Sequence, residues 1–285
     1  RLSACAQIAR NADPDRFFCM AFAPLSQRES LFTLMAFNHE VAKTRSVVSE
    51  ALLGRIRLQW WREAIEECLA AGDGGSNSSI RHHEVVQPLA AIIQETPSVA
   101  DDLFDVIEAR EADLEEPPTT AKALVHYAEA VNAPLNRAFA RVLLDGDGDI
   151  PNEWICSLSA AWGLISLLRS SVSMMTTGWS PIPPDVLEQQ GVDLAALQSG
   201  RRDENLPKAV AEISTIAERL LTTAKGELFD INRTTRRKLK PIVLQSTMTQ
   251  GYLKRLKSAG YDPFDIRVVR PSTRVRLSVL SASMF

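Results

Sequence analysis

Polar groups interrupt an apolar helical stripe at two neighbouring places early in the chain, and residues of that kind suit the lining of a cavity. Between Glu29 and Val48, residues Leu31, Leu34, Met35, Val41, Ala42 and Val48 recur at three- and four-residue steps, which puts them on one face of a 3.6-residue helix. Asn38 and Arg45 fall on that same face. After Gly54 a second helical stretch places Ile56, Gln59, Trp60, Glu63 and Glu67 on one side, with Arg55, Trp61 and Arg62 beside it. Two helices that turn polar residues inward predict a lined cavity. The plainer alternative is a core whose buried polar groups are satisfied by their neighbours.

Other residues with chemical potential are weaker signals. His82-His83-Glu84 brings metal-ligand types together, but adjacent histidines point in different directions on a helix. The run Asp145 to Pro151 starts like a calcium loop, yet the position that needs a closing Glu is Cys156, so it reads as an acidic turn. Arg233, Arg236, Arg237, Lys238 and Lys240 crowd into one basic run. Such a run is a solvated helix end or a contact for anionic lipid or an acidic protein surface.

The elements that carry these residues read as helices throughout. Helical periods recur from Ser26 to Ala259, with breaks at the Gly72–Ser79 loop, at Glu115-Glu116-Pro117-Pro118 and at the Trp179–Pro184 link. Ser26 with Glu29 has capping-box spacing, Pro134 should kink or divide a helix over 121–144, and Gly260 closes the last clear helix. The tail from Ile266 to Phe285 is basic and shows no helical period. No strand alternation, internal repeat or Gly-rich phosphate loop is present. With 285 residues, 45% hydrophobic and 24% charged, the composition is that of a globular chain with a sizeable core. A net charge of −3 argues against a surface built to grip nucleic acid. No apolar run approaches the roughly 20 residues that span a bilayer. The 4 scattered cysteines read as free thiols of a reducing compartment. Because the first residue is Arg1, a preceding segment, an organelle-targeting leader among the alternatives, is expected to have been removed or left out.

Taken in order, several stretches resemble the squalene/phytoene synthase family. They are Ala36-Phe37, the run Leu58-Gln59-Trp60-Trp61-Arg62-Glu63, Ile107–Leu114, Tyr127–Asn136, Leu167-Leu168-Arg169, Gly178, Pro183 and Gly191-Val192. The resemblance implies an all-α, single-domain, isoprenoid-synthase-like bundle of antiparallel helices around a central cavity over residues 1–265, with 266–285 as a basic C-terminal tail. The family's enzymes join two prenyl diphosphates, using two aspartate motifs to hold Mg²⁺ against the diphosphate. Counted from Ala36-Phe37, the first motif's positions here are Ala42, Lys43 and Ser46; those after Arg169 are Ser170, Ser173 and Met174. Mg²⁺ demands hard oxygen ligands, and departure of diphosphate needs a metal to carry its charge. The departure from the pattern therefore implies a kept fold and a lost reaction, with no catalytic residue, metal or cofactor.

Ala36-Phe37-Asn38, Ser49-Glu50, Gln59-Trp60 and the turn Tyr261–Asp265 resemble the family's non-enzymatic branch. That likeness implies a protein that assembles, or belongs to, a mitochondrial respiratory complex, complex I first, on the matrix side of the inner membrane. A bacterial cytoplasm is the alternative location. The implied partners are protein subunits of the complex, with a lipid in the cavity and peripheral membrane contact as further expectations. Asn38, Lys43, Arg45, Gln59, Arg62 and Arg169 are the expected cavity-lining or head-group contacts. Arg233, Arg236, Arg237, Lys238 and Lys240 are the expected partner or membrane contacts. Two alternatives stay open. One is an active synthase whose Mg²⁺ is held by Glu40, Glu63, Glu66, Glu67 or Asp113, although helix geometry turns position 40 away from 42 and 46. The other is a lipid-binding protein in which Lys43, Arg45 and Arg169 meet a phosphate head group directly.

Overall fold

The structure, a computed structural model, describes residues 2–48, 50–72, 80–146, 148–175, 180–193, 195, 197, 199 and 202–284. Helices are the regular elements of these residues, and none of them lies in a strand. The chain comprises two compact units, the second of which takes in the tail.

The first unit comprises Arg1–Glu116, Ala133–Asn152 and Ile231–Val243. Its central element is α3 (Leu25–Ala42), which packs against α1 (Ala4–Ala12), α6 (Val86–Glu95), α7 (Val99–Glu111) and α9 (Ala133–Leu143). Because neighbours surround it, α3 is apolar nearly all round; Leu31, Leu34, Ala36, Phe37 and Val41 are fully buried. The Asp13 carboxylate caps α2 (Pro14–Met20) by accepting from the Arg16 N–H at 2.9 Å, with Pro14 in the first turn, where no N–H is needed. The capping box expected at Ser26 does not form. The helix begins two residues earlier, with Pro24 as its N-cap, and Glu29 instead accepts from the Ser3 hydroxyl. α7 and α9 are clamped by Asp102, which is buried and accepts from Arg137 Nε at 2.8 Å and Arg141 Nε at 2.5 Å.

Two corrections concern the stretch after α3. That helix stops at Ala42, and a short α4 (Thr44–Val47) restarts the chain in a new direction, so the period read through Arg45 is broken. Thr44 is buried there and Arg45 is exposed. Next, α5 (Ala51–Gly72) begins before Gly54 rather than after it. Gly54 sits inside the helix because a Cβ would stand 2.5 Å from Leu114 Cδ2, in the 3₁₀ turn Ala112–Leu114. The buried face of α5 is Leu58, Trp61, Ala64, Ile65 and Cys68, whereas Ile56, Gln59, Trp60 and Glu63 are exposed. The expectation of an inward polar face is reversed. Burying Trp61, Leu58 and Ile65 gains about 1.5–3 kcal/mol per side chain, and the opposite choice would strip water from Gln59 and Glu63.

The second unit comprises Pro117–Asn132, Glu153–Asp230 and Leu244–Phe285. The stretch predicted as one helix over 121–144 is divided ahead of Pro134, into α8 (Ala121–Ala130) and α9. On α10 (Asn152–Met175), Ala161, Leu164, Ile165 and Leu168 are buried as expected; the side chains of Val172 and Met175 lie outside the described set. After α11 (Pro184–Gln189), helix α12 (Leu206–Asp230) buries Leu206, Val210, Ile213, Ala217, Leu221 and Ala224, one face at helical spacing. α13 (Arg233–Lys238), which belongs to the first unit, carries the basic run and leads into α14 (Lys240–Ser258). The tail, expected without a period, is helical: α15 (Ile266–Val269) and α16 (Thr273–Ala282) bury Val268, Val275 and Val279. So few buried positions leave no stripe to read. Ser272 caps α16, accepting from the Val275 N–H at 3.4 Å while its own N–H donates to Tyr252 Oη at 3.3 Å.

Candidate functional site

The end of α3 holds the first unit's densest set of expected residues. Glu40, buried, pairs with the Lys43 ammonium one turn on and accepts from Arg57 Nη2 of α5 at 3.3 Å. Ser46 Oγ donates to the Lys43 carbonyl at 2.8 Å, and Ala42 has no ligand atom. Arg45 reaches sideways, its Nη1 donating to the Asp113 carbonyl at 2.5 Å, and Arg62 Nη1 meets Glu111 Oε1 at 2.8 Å. These two arginines clip α4 and α5 to the end of α7. Asn38 stands apart, half-buried, its Oδ1 buried without a hydrogen-bond partner among the described residues. Beside it, burial holds the His39 imidazole below its ordinary range, against the attraction of Glu40.

On the outer face of α5, Gln59 and Arg62 line a recess of about 560 Å³ with Arg55, Trp60 and Glu111. Gln59 Nε2 donates to Glu63 at 3.4 Å. Arg81, which the sequence reading missed, organises this face. Its guanidinium lies 4.7 Å from the Trp60 ring centroid and bonds Glu67, Glu63 and the Trp60 carbonyl. Hydrogen bonds from Arg81 pull the Glu67 carboxyl below the usual range. His83 packs edge-on against both Trp60 and Trp61, and its Nδ1 accepts from the Val85 N–H at 3.1 Å, so the His82-His83-Glu84 run is a structural turn. The sole sequence hint of this cluster was Arg81's place just after the glycine-rich loop. Exposed apolar residues follow the same ridge: Val47 is 57% accessible, Leu53 47% and Ile56 59%.

In the second unit, the Arg169 guanidinium stacks 3.5 Å from the Tyr252 ring centroid, and its Nε donates to the Val268 carbonyl at 3.3 Å. This pairing locks α10 to α14 and to the tail. Ser170 is exposed and Met174 half-buried; the Ser173 side chain, Ser49, Asp147, Gly178 and Trp179 lie outside what the structure describes. Back in the first unit, Arg237, Lys238 and Lys240 of the basic run border a recess of about 490 Å³, where Lys238 Nζ meets Asp145 at 3.0 Å. Arg233 and Arg236 do not line it.

Among the described residues, those around positions 42, 43 and 46 do not fit a Mg²⁺–diphosphate centre. Position 43 carries a cation, and its nearest acid, Glu40, is already neutralised twice. Of the other acids considered, Glu63 and Glu67 belong to Arg81, and Asp113 pairs with Arg110 at 3.1 Å. Among the described residues, no three His, Cys, Asp or Glu side chains gather where a metal ion could be held.

The family model of squalene/phytoene synthase matches residues 9–280. The assembly factor 6 of NADH dehydrogenase (ubiquinone) complex I from Bos taurus is 24% identical over 277 residues, spanning 96% of this chain and 79% of the relative. Its Homo sapiens counterpart is 23% identical over 275 residues, with the same two shares of 96% and 79%. Among solved structures, a dehydrosqualene synthase bound to a ligand superposes with a TM-score of 0.75 at 16% identity, covering 98% of this chain and 94% of that one. The squalene synthase HpnC of Alicyclobacillus acidocaldarius gives 0.73 at 17% identity, covering 91% and 94%. These likenesses show the isoprenoid-synthase fold.

Proposed function

The chain belongs to the squalene/phytoene synthase family, and on that premise we propose that it assists assembly of a respiratory NADH dehydrogenase, complex I, and has no metal-dependent prenyl transfer. One observation carries the reading: the positions that the resemblance assigns to the family's first metal motif hold Ala42, Lys43 and Ser46, and the buried Glu40 is engaged by Lys43 and Arg57. A diphosphate leaving group would find no bridging ion there. The relatives named for complex I assembly support the positive half, since they align over nearly the whole chain. A protein of this kind acts through surfaces, and the exposed ridge of Val47, Leu53, Ile56 and Trp60 is of the type that protein partners cover. We place it in the mitochondrion, peripheral to the matrix side of the inner membrane. Among the described residues no helix is long and apolar enough to cross a membrane, and exposed Arg233 and Arg237 suit contact with an anionic surface.

Two measurements test this. Removing the gene from its source organism and resolving the membrane complexes on a native gel should abolish the assembled NADH dehydrogenase, and re-expression should restore it. An undiminished complex would overturn the assembly role. Incubating the purified protein with farnesyl diphosphate and Mg²⁺ should release no diphosphate above a protein-free control. Release above that control would overturn the loss of chemistry.

A further inference from the structure

A second cleft, in the second unit and remote in sequence from the family motifs, has a different chemistry. It measures about 630 Å³ and lies among α12, α14 and α16. Five cations line it: Lys225, Lys254, Arg255, Arg267 and Arg274, and no carboxylate does. Arg267 is paired with the Asp265 carboxylate, to which its guanidinium makes bonds of 3.0 and 2.6 Å. That contact pulls the Asp265 carboxyl down to about 2, so it stays ionised at neutral pH. With Arg267 paired to Asp265, four further cations stand on the wall of the cleft, in a chain whose net charge is −3.

Two of the other cations are held by neutral partners. Lys225 Nζ donates to Gln250 Oε1 at 2.6 Å. Arg255 is aimed by two acceptors, the Arg267 carbonyl at 2.6 Å and Ser272 Oγ at 2.7 Å. Lys254 and Arg274 are exposed and have no carboxylate partner among the described residues. The backbone brings the two sides together: a Cβ at Gly251 would stand 2.7 Å from Val275 Cγ1, so glycine there lets α16 settle onto α14. Such an arrangement costs electrostatic repulsion unless an anion completes it. Two arginine forks beside two lysines match the several oxygens of a phosphate group better than a lone carboxylate.

We propose that this cleft binds a phosphate-bearing anion through Lys254, Arg255 and Arg274. The proposal goes beyond the assembly role and does not depend on it. The shared chemistry is the phosphate, supplied by a soluble phosphorylated molecule or by a phospholipid head group, and two arms separate the sources. In one, the full chain is titrated with inorganic pyrophosphate in a calorimeter at low salt. In the other, it is floated with vesicles of phosphatidylcholine alone or of phosphatidylcholine with phosphatidylglycerol.

Both arms are repeated with Lys254→Gln/Arg274→Gln, chosen because these side chains are exposed, and with Lys122→Gln/Arg219→Gln, likewise exposed, as a basic control outside the cleft. Thermal melts confirm that each variant is folded. Binding in either arm that weakens about tenfold or more, or 1.4 kcal/mol, in the cleft variant and not in the control is the expected result. Retention by pyrophosphate alone assigns a soluble ligand, and retention by the anionic vesicles assigns a head group. Should the wild type bind neither probe, or should the cleft variant bind as tightly as the wild type, the proposal is overturned.

Discussion

Glu40 is buried while both of its cationic partners are about one-third accessible, 33% for the Lys43 side chain and 34% for Arg57. The pair of contacts therefore has solvent on one side, which reduces its worth below that of a sealed ion pair. Replacing Glu40→Gln should cost about 1–3 kcal/mol in urea unfolding, mostly because two cations lose their counter-charge. No change in the urea midpoint would show that the network is ornamental. His39 gives a pH dependence whose sign follows from its burial. An unfolded chain takes up this proton near 6.5, and the folded imidazole titrates below that value. Below pH 6.5 the unfolded state thus binds more protons, so the contribution is fully present above that pH and is lost as pH falls. Urea midpoints taken at about pH 7.5 and about pH 5 should differ less in His39→Gln than in the wild type; equal differences would remove His39 from the account.

Between helices, close approach is set by single glycines. Gly163 of α10 faces α8, where a Cβ would stand 2.8 Å from the Ala128 carbonyl oxygen and 2.9 Å from its Cβ. Backbone cannot swing aside as a side-chain end can, so Gly163→Ala should lose stability. Overpacking of about 1–3 kcal/mol exceeds the gain in helix propensity of about 1 kcal/mol. Gly226 of α12 is the internal contrast, because a Cβ there meets nothing within 4 Å. Gly226→Ala should stabilise by roughly 0.5–1 kcal/mol. Thermal melts of the two variants should therefore move in opposite directions, and a shift of the same sign in both would discredit the packing argument.

At the scale of the whole chain, the basic tail belongs to the folded body of the second unit. Val268, Val275 and Val279 are buried, Ser272 is bonded to Tyr252, and Arg169 holds the Val268 carbonyl. Deleting residues 266–285 would expose three valines, each worth about 1.5–3 kcal/mol when buried. The melting temperature should fall by roughly 10 °C or more. A truncated protein that melts with the wild type would instead make the tail a detachable attachment segment. The same residues shape the cationic cleft, so the fold of the tail and the charge of that cleft stand or fall together.

Helix content, the division before Pro134 and the absence of carboxylates at 42, 43 and 46 were all legible in the sequence. Each depends on local spacing or on residue type alone, which need no partner to interpret. The orientation of α5 was not legible. Both of its faces carry apolar residues, and packing of Leu58, Trp61 and Ile65 against the rest of the first unit decided which was buried. Arg45 left its expected face because the chain breaks at Lys43, a turn that the period of the flanking residues does not encode. The tail looked structureless because its helices bury only one residue every turn or two. Their stability comes from contacts with Tyr252, Arg169 and Gly251, which only the tertiary structure brings within reach.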